Sequence, residues 1–295
     1  MTAPAPQGRA TRPDPLLRIG IAIVAVVCIL AVIGPVIGPY DPTLTTPRVA
    51  VPPPGPLEIP GLLVGWIGGT LEHPPHWMGT DASGYDVFSR VIAAPRTDLV
   101  IALLANALSL GVGVLLGLVA GYFRNWATEL LMRVSDVMQS FPVFISAMVL
   151  VALAGRSTAN IVIALAFVYV PIYIRLTRAE VLSQAGRGFV EAARAIGQPE
   201  IVIALRHVLP NSLTPALIQS SVTIGFAILL TAGLSFVGAG VRPPTPEWGL
   251  MISTGANQIV LGEWWPSVFP GIAISLTVFG FAVLGNALER RYEGN

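Results

Sequence analysis

Side chains able to do chemistry are few in this 295-residue chain. Its three histidines are His73 and His76, at H-x-x-H spacing, and His207. A zinc or nickel site would need carboxylates or thiolates beside that pair. Its neighbours Pro74, Pro75 and Trp77 spell a turn instead, so no metal site is assigned. The single cysteine, Cys28, lies inside an apolar run; it excludes a disulfide within the chain and reads as a small buried hydrophobe. Hydrolysis by a nucleophile is not supported either, because no G-x-S-x-G is present and every histidine falls in a loop. All seventeen basic residues are arginine. A G-x-x-x-x-G-K-[ST] phosphate loop requires lysine, so any ATP that drives this protein must be hydrolysed by another polypeptide. No catalytic residue is assigned.

Three features remain. Asp136 follows Glu129 and Arg133, and a local ion pair with Arg133 accounts for it better than a proton path. Gln219, Thr223, Ala227, Thr231 and Ser235 recur every four residues along an apolar run. They either line a path for a solute or hydrogen-bond and pack against neighbouring helices, and the spacing leaves both open. The third is EAARAIGQPEIVIALRHVLPN, Glu191 to Asn211. Phe189, Ala192, Ala193 and Ile196 fall on one helical face, with Glu191 and Arg194 on another. Gly197 stops that helix, Pro199 opens a second, and Pro210 ends it. Periodicity alone leaves this pair either a docking element or a plain connection resting on the bilayer surface.

The elements that must carry these residues are apolar. Hydrophobic residues make up 54% of the chain and charged ones 11%, against roughly 25% charged in soluble domains. The composition predicts an all-α membrane protein with six transmembrane helices, at about 19–37, 99–122, 137–154, 159–176, 216–237 and 268–285. The first run is too long for a signal-peptide core and reads as an uncleaved span. The expected organisation is a disordered 1–18, a first helix over 19–38, an outer loop over 39–96 and a five-helix core over 97–291, with the helix pair at 188–211. Trp248, Trp264 and Trp265 suit an aromatic belt. Twelve arginines fall on one side of this topology and five on the other, which puts both termini and the helix pair in the cytoplasm. A net charge of +1 gives no ground for nucleic-acid binding.

The motifs carry a resemblance. Glu191, Ala192, Ala193, Gly197, Leu209 and Pro210 match the EAA loop of ABC importer permeases, with His207 where that family often has isoleucine. HPPHWMGTDASGYDVFSR, from His73 to Arg90, resembles the HPLGTDxxGRDVxSR signature of the peptide/nickel branch, with Tyr85 in place of an arginine. LSFVGAGVRPPTPEWG resembles LSFLGLGVQPPTPxWG, and LGNALERR resembles LGDALRD with Asn286 for aspartate. The matches run from about residue 73 to 291. The chain thus looks like a C-type permease of dipeptide, oligopeptide or nickel importers, with the type I importer fold in the bacterial cytoplasmic membrane.

The resemblance implies an EAA loop that docks into a cytoplasmic ATPase and transmits its closure. It also implies a second homologous permease, two ATP-binding-cassette domains that bind ATP and Mg, an extracytoplasmic binding protein and no cofactor in this chain. Gln219, Thr223, Thr231 and Ser235 are the candidates for the path. The cargo is expected to be a peptide, with nickel or another small solute as the alternative. A secondary transporter is disfavoured, since the sequence shows no obvious repeat and no buried charge pair.

Overall fold

Long apolar segments satisfy their backbone polar groups in lipid by forming helices, and helices are what this sequence builds. The computed structural model describes residues 15–293; Arg9, Arg12 and the rest of the expected disordered stretch up to residue 14 lie outside the described residues. In order the helices are α1 (Pro15–Ile37), α2 (Ile59–Ile67), α3 (Val87–Tyr122), α4 (Trp126–Ser140), α5 (Val143–Ala154), α6 (Thr158–Ala185), α7 (Gly188–Ala195) and α8 (Glu200–Ile203). A π-helical turn (Ala204–Val208) leads into α9 (Leu209–Ser212), followed by α10 (Thr214–Phe236), α11 (Trp248–Ala256) and α12 (Trp265–Glu293). Residues 15–18, expected in the disordered tail, are already helical.

Five helices, α1, α3, α6, α10 and α12, are long and apolar enough to cross a membrane. The expected third span, 137–154, is not one helix: α4 and α5 meet at a 94° bend. Pro142 is the cause, because a residue before proline is pushed out of helical angles, and Phe141 is extended at φ −92°, ψ 142°. The 12 residues of α5 rise only about 18 Å. Across the break, α4 is amphipathic, leaving Trp126, Leu130, Val134 and Val137 exposed and burying Thr128 and Ser135.

Packing nevertheless requires six passes. Gly113, Gly117 and Gly121 of α3 sit against Tyr173, Thr177 and Val181 of α6. Both series ascend together, so the two helices run in the same direction and the chain between them must cross back through α4 and α5. The seam is tight: a Cβ on Gly117 would lie 2.7 Å from that of Thr177. Small residues permit such backbone approach where lipid supplies no hydrophobic drive between helices. The α1–α12 and α10–α12 pairs are antiparallel: Gly20 meets Leu284 while Ile23 meets Gly280, and Gly225 meets Phe281 while Val222 meets Gly285. The described ends, Pro15 and Glu293, therefore share a face with the 186–213 connection. That face is the loop face; the opposite one is the distal face.

At the distal face the His73–Arg90 segment is knotted into the fold. Asp86 caps α3 by accepting from the Ser89 amide at 2.8 Å, and its other oxygen meets His76 Nδ1 at 2.7 Å. The Tyr40 ring stacks on His76, with centroids 4.5 Å apart, while His73 remains exposed. Arg90, 4% exposed, donates to the carbonyls of Pro42 at 2.8 Å and Pro244 at 3.0 Å. Glu247, fully buried, caps α11 through the Gly249 and Leu250 amides at 2.8 and 2.7 Å. Burial holds the Glu247 carboxyl above its usual range, with Asp98 buried alongside. Neither buried carboxyl is expected from the sequence: Glu247 caps the start of α11, and Asp98 lies inside α3.

Two other expectations change. Trp248 and Trp265 are not belt residues; both are buried, their indole N–H groups donating to the carbonyls of Val91 at 3.0 Å and Thr80 at 2.9 Å. Trp264 is 45% exposed. Cys28 is exposed on α1 rather than buried.

Candidate functional site

The helix pair at the loop face begins with α7, which ends in a Schellman motif. Gly197 N–H bonds the Arg194 carbonyl at 2.9 Å, and Gln198 N–H reaches back to Ala193 at 3.2 Å. Gly197 has φ +81°, and nothing lies within 4 Å of where its Cβ would be. What demands glycine there is the left-handed backbone, not crowding. Pro199 caps α8 from just outside the helix rather than from its first turn. Nor does Pro210 end the second helix as expected. Lacking an N–H, it is preceded by the π turn, in which Leu209 N–H bonds Ala204 O. Asn211 Nδ2 and Ser212 Oγ then donate to the carbonyls of His207 and Val208 at 2.7 and 2.9 Å. Only Leu213 separates α9 from α10, and its angles are helical, φ −79° and ψ −29°.

The pair has two faces. Val190, Ala193, Ile203, Ala204 and Val208 are buried against Leu118 of α3 and Val181 of α6. Of the four residues placed on one face by the sequence, only Ala193 turns inward, and Val190 joins it. Ala192 is exposed, as are Phe189, Ile196 (75%), Ile201 (55%) and Leu205. Glu191 is also exposed, and its carboxylate makes no hydrogen bond or ion pair among the described residues. Leu209 is half-buried and Pro210 exposed.

Side chains brace the turn from both flanks. His207 Nε2 and Gln198 Oε1 are 2.9 Å apart. On the other flank Arg194 grips Glu200, Nε to Oε1 at 2.8 Å and Nη2 to Oε2 at 3.2 Å. Asp136 of α4 pairs at 2.7 Å with Arg175 of α6, not with Arg133 as expected.

A groove of about 620 Å³ runs between α5, α6 and α10, walled by Phe144, Tyr169, Phe226 and Leu230 among others. The four path candidates divide around it. Gln219 and Thr223 line it. Thr231 and Ser235 are buried away from it, Thr231 donating to its own helix at Ala227 O, 2.8 Å. Four-residue steps precess by about 40° each on a 3.6-residue helix, which turns the later members out of the groove. Sequence reasoning missed the aromatic walls; a tyrosine at 169 inside an apolar span was the available signal.

Comparison with known proteins places this geometry. The family described as binding-protein-dependent transport system inner membrane component matches residues 113–294. The dipeptide transport system permease protein DppC of Alkalihalophilus pseudofirmus is 41% identical over 214 residues, covering 72% of this chain and 70% of that protein. The di/tripeptide transport system permease protein DppC of Pseudomonas aeruginosa is 36% identical over 270 residues, 92% of this chain and 85% of its own. The glutathione transport system permease protein GsiD of Pectobacterium atrosepticum is 37% identical over 214 residues, 72% and 71% of the two chains. Among solved structures, the inward-facing MetNI methionine ABC transporter superposes with a TM-score of 0.51 at 17% identity, over 68% of this chain and 96% of that one. That match speaks to the fold alone.

Proposed function

The chain belongs to the binding-protein-dependent transport system inner membrane components, and from that membership we propose how it works. It is a permease subunit of an ATP-driven peptide importer, not an enzyme. Relatives named for dipeptides, di/tripeptides and glutathione make a short peptide the cargo in preference to nickel or another small solute. The loop face is cytoplasmic, a reading supported by the arginine count on that side. Two partner ATPase domains bind ATP and Mg there, and a binding protein delivers the peptide at the distal face. A second, homologous permease closes the groove, where Gln219 offers its amide to peptide backbone and the buried Thr223 hydroxyl accepts from that amide at 3.5 Å. Thr231 and Ser235 serve helix packing.

The observation that carries this reading is the two-faced helix pair. One face is anchored on α3 and α6; the other presents bare apolar side chains with an unpaired carboxylate, Glu191. Such a surface fits a groove on the ATPase, where Glu191 gains a charge-assisted hydrogen bond. Closure of the ATPases then moves the pair, and the pair moves α10 because no non-helical residue stands between them. Ile196→Asp tests this, because it places a charge at the centre of the bare face without touching the anchored one. The expected result is an inserted permease that no longer co-purifies ATPase subunits. Full retention of the ATPase by this variant would refute docking through the loop.

A further inference from the structure

The coupling pair touches α3 as well as α10, and the polar part of that contact is confined to three residues. Tyr122 is the last residue of α3. Its hydroxyl donates to Glu200 Oε2, and Arg194 Nη2 approaches the same hydroxyl at 3.4 Å. The Arg194 guanidinium also stands 5.9 Å from the Tyr122 ring centroid. Three elements thus meet at one carboxylate: the end of α3, the last turn of α7 and the first turn of α8. One helical turn earlier on α3, Leu118 is packed beneath Val190 and Ala193. The last turn of α3 therefore holds the pair through an apolar contact and a polar one.

We propose that Tyr122, Arg194 and Glu200 are positioning residues that tie the coupling pair to α3, so that ATPase movement enters the membrane at α3 as well as at α10. This rests on the docking reading above. An exposed ion pair adds little stability, but a guanidinium fork gripping one carboxylate fixes an angle, here the angle across the Gly197 turn. The tyrosine hydroxyl then sets that angle relative to α3. Movement of α3 passes to α6 through the Gly113–Gly117–Gly121 seam, which has no room for a side chain and so little play. Because α6 and α10 flank the groove, a push on α3 and α10 together changes the groove's width. Consistent with the geometry, Glu200 is held below its usual carboxylate range by Arg194 and then by Tyr122.

The test uses the assembled transporter, with both permeases and the ATPases in proteoliposomes, its binding protein, and a labelled dipeptide as probe. Tyr122→Phe removes one exposed hydroxyl, and Glu200→Gln removes one charge; neither alters the bare apolar face. The expected result is undiminished ATPase co-purification, with dipeptide imported per ATP hydrolysed falling about fivefold. The exchange Arg194→Glu with Glu200→Arg restores the ion pair and should recover most of that ratio. An unchanged ratio in both single variants overturns the proposal. So does loss of ATPase co-purification in them, which would make these residues part of the docking surface. Failure of docking itself is read separately from Ile196→Asp: if that variant keeps its ATPase, the underlying reading falls whatever the ratio does.

Discussion

The two faces of this protein carry recognisable motifs, and the motifs are handled in opposite ways. At the distal face Thr80, Asp86, Ser89 and Arg90 are buried, and each is hydrogen-bonded into the fold. At the loop face Glu191, Ala192, Gly197 and Pro210 are exposed. One set holds the protein together; the other, apart from buried Ala193 and half-buried Leu209, faces outward. A recognisable motif therefore does not by itself mark a binding surface, and burial is what separates the two kinds.

That contrast breaks if distal substitutions leave stability alone or loop substitutions destroy it. The largest effect is expected from Asp86→Ala, which removes the α3 cap and the partner of His76 together. It should cost about 2–4 kcal/mol, seen as a lowered unfolding temperature in detergent with loss of inserted protein. Next comes Gly117→Ala in the α3–α6 seam. Overpacking there should cost about 1–3 kcal/mol and lower dipeptide uptake while ATPase subunits still co-purify.

Gly197→Val should cost about 1–3 kcal/mol of local strain at a positive φ. Its expected signature is the reverse of Asp86→Ala: protein inserted and folded, with ATPase association and uptake falling together. The smallest effect concerns pH. Glu200 has a lowered folded-state pKa, so its contribution is present above the ordinary carboxylate range and is lost only on acidification through that lowered value. Between about pH 6 and pH 8 the clamp should therefore add no slope to the ratio of uptake to ATP hydrolysis. A slope in wild type that Glu200→Gln abolishes would contradict this.

Much of the fold was legible because lipid leaves few solutions: charge-free runs of twenty residues become helices, and the Gly197 break is local chemistry. What stayed hidden depended on distance or on averaging. Hydropathy over 137–154 summed the apolar stripe of α4 with α5 and concealed the Phe141-Pro142 bend between them. Trp248 and Trp265 suit an interface or a core equally well, and the carbonyls that decided for the core lie on Val91 and Thr80, far away in the chain. Arg194 and Glu200 face each other only because Gly197 reverses the chain, and Tyr122 joins them from 78 residues upstream of Glu200. At the helix pair, the sequence marked the turn, but not which apolar side chains would be left bare.

The helical angles of Leu213 make the connection into α10 a crank without a hinge. With 23 residues, α10 is a rod of about 34 Å. A tilt of about 10° imposed at its base would carry the distal tip through about 6 Å, slightly more than the ~4.8 Å that separates neighbouring extended chains. A small rotation at the loop-face end is thus converted into a displacement as wide as one peptide backbone.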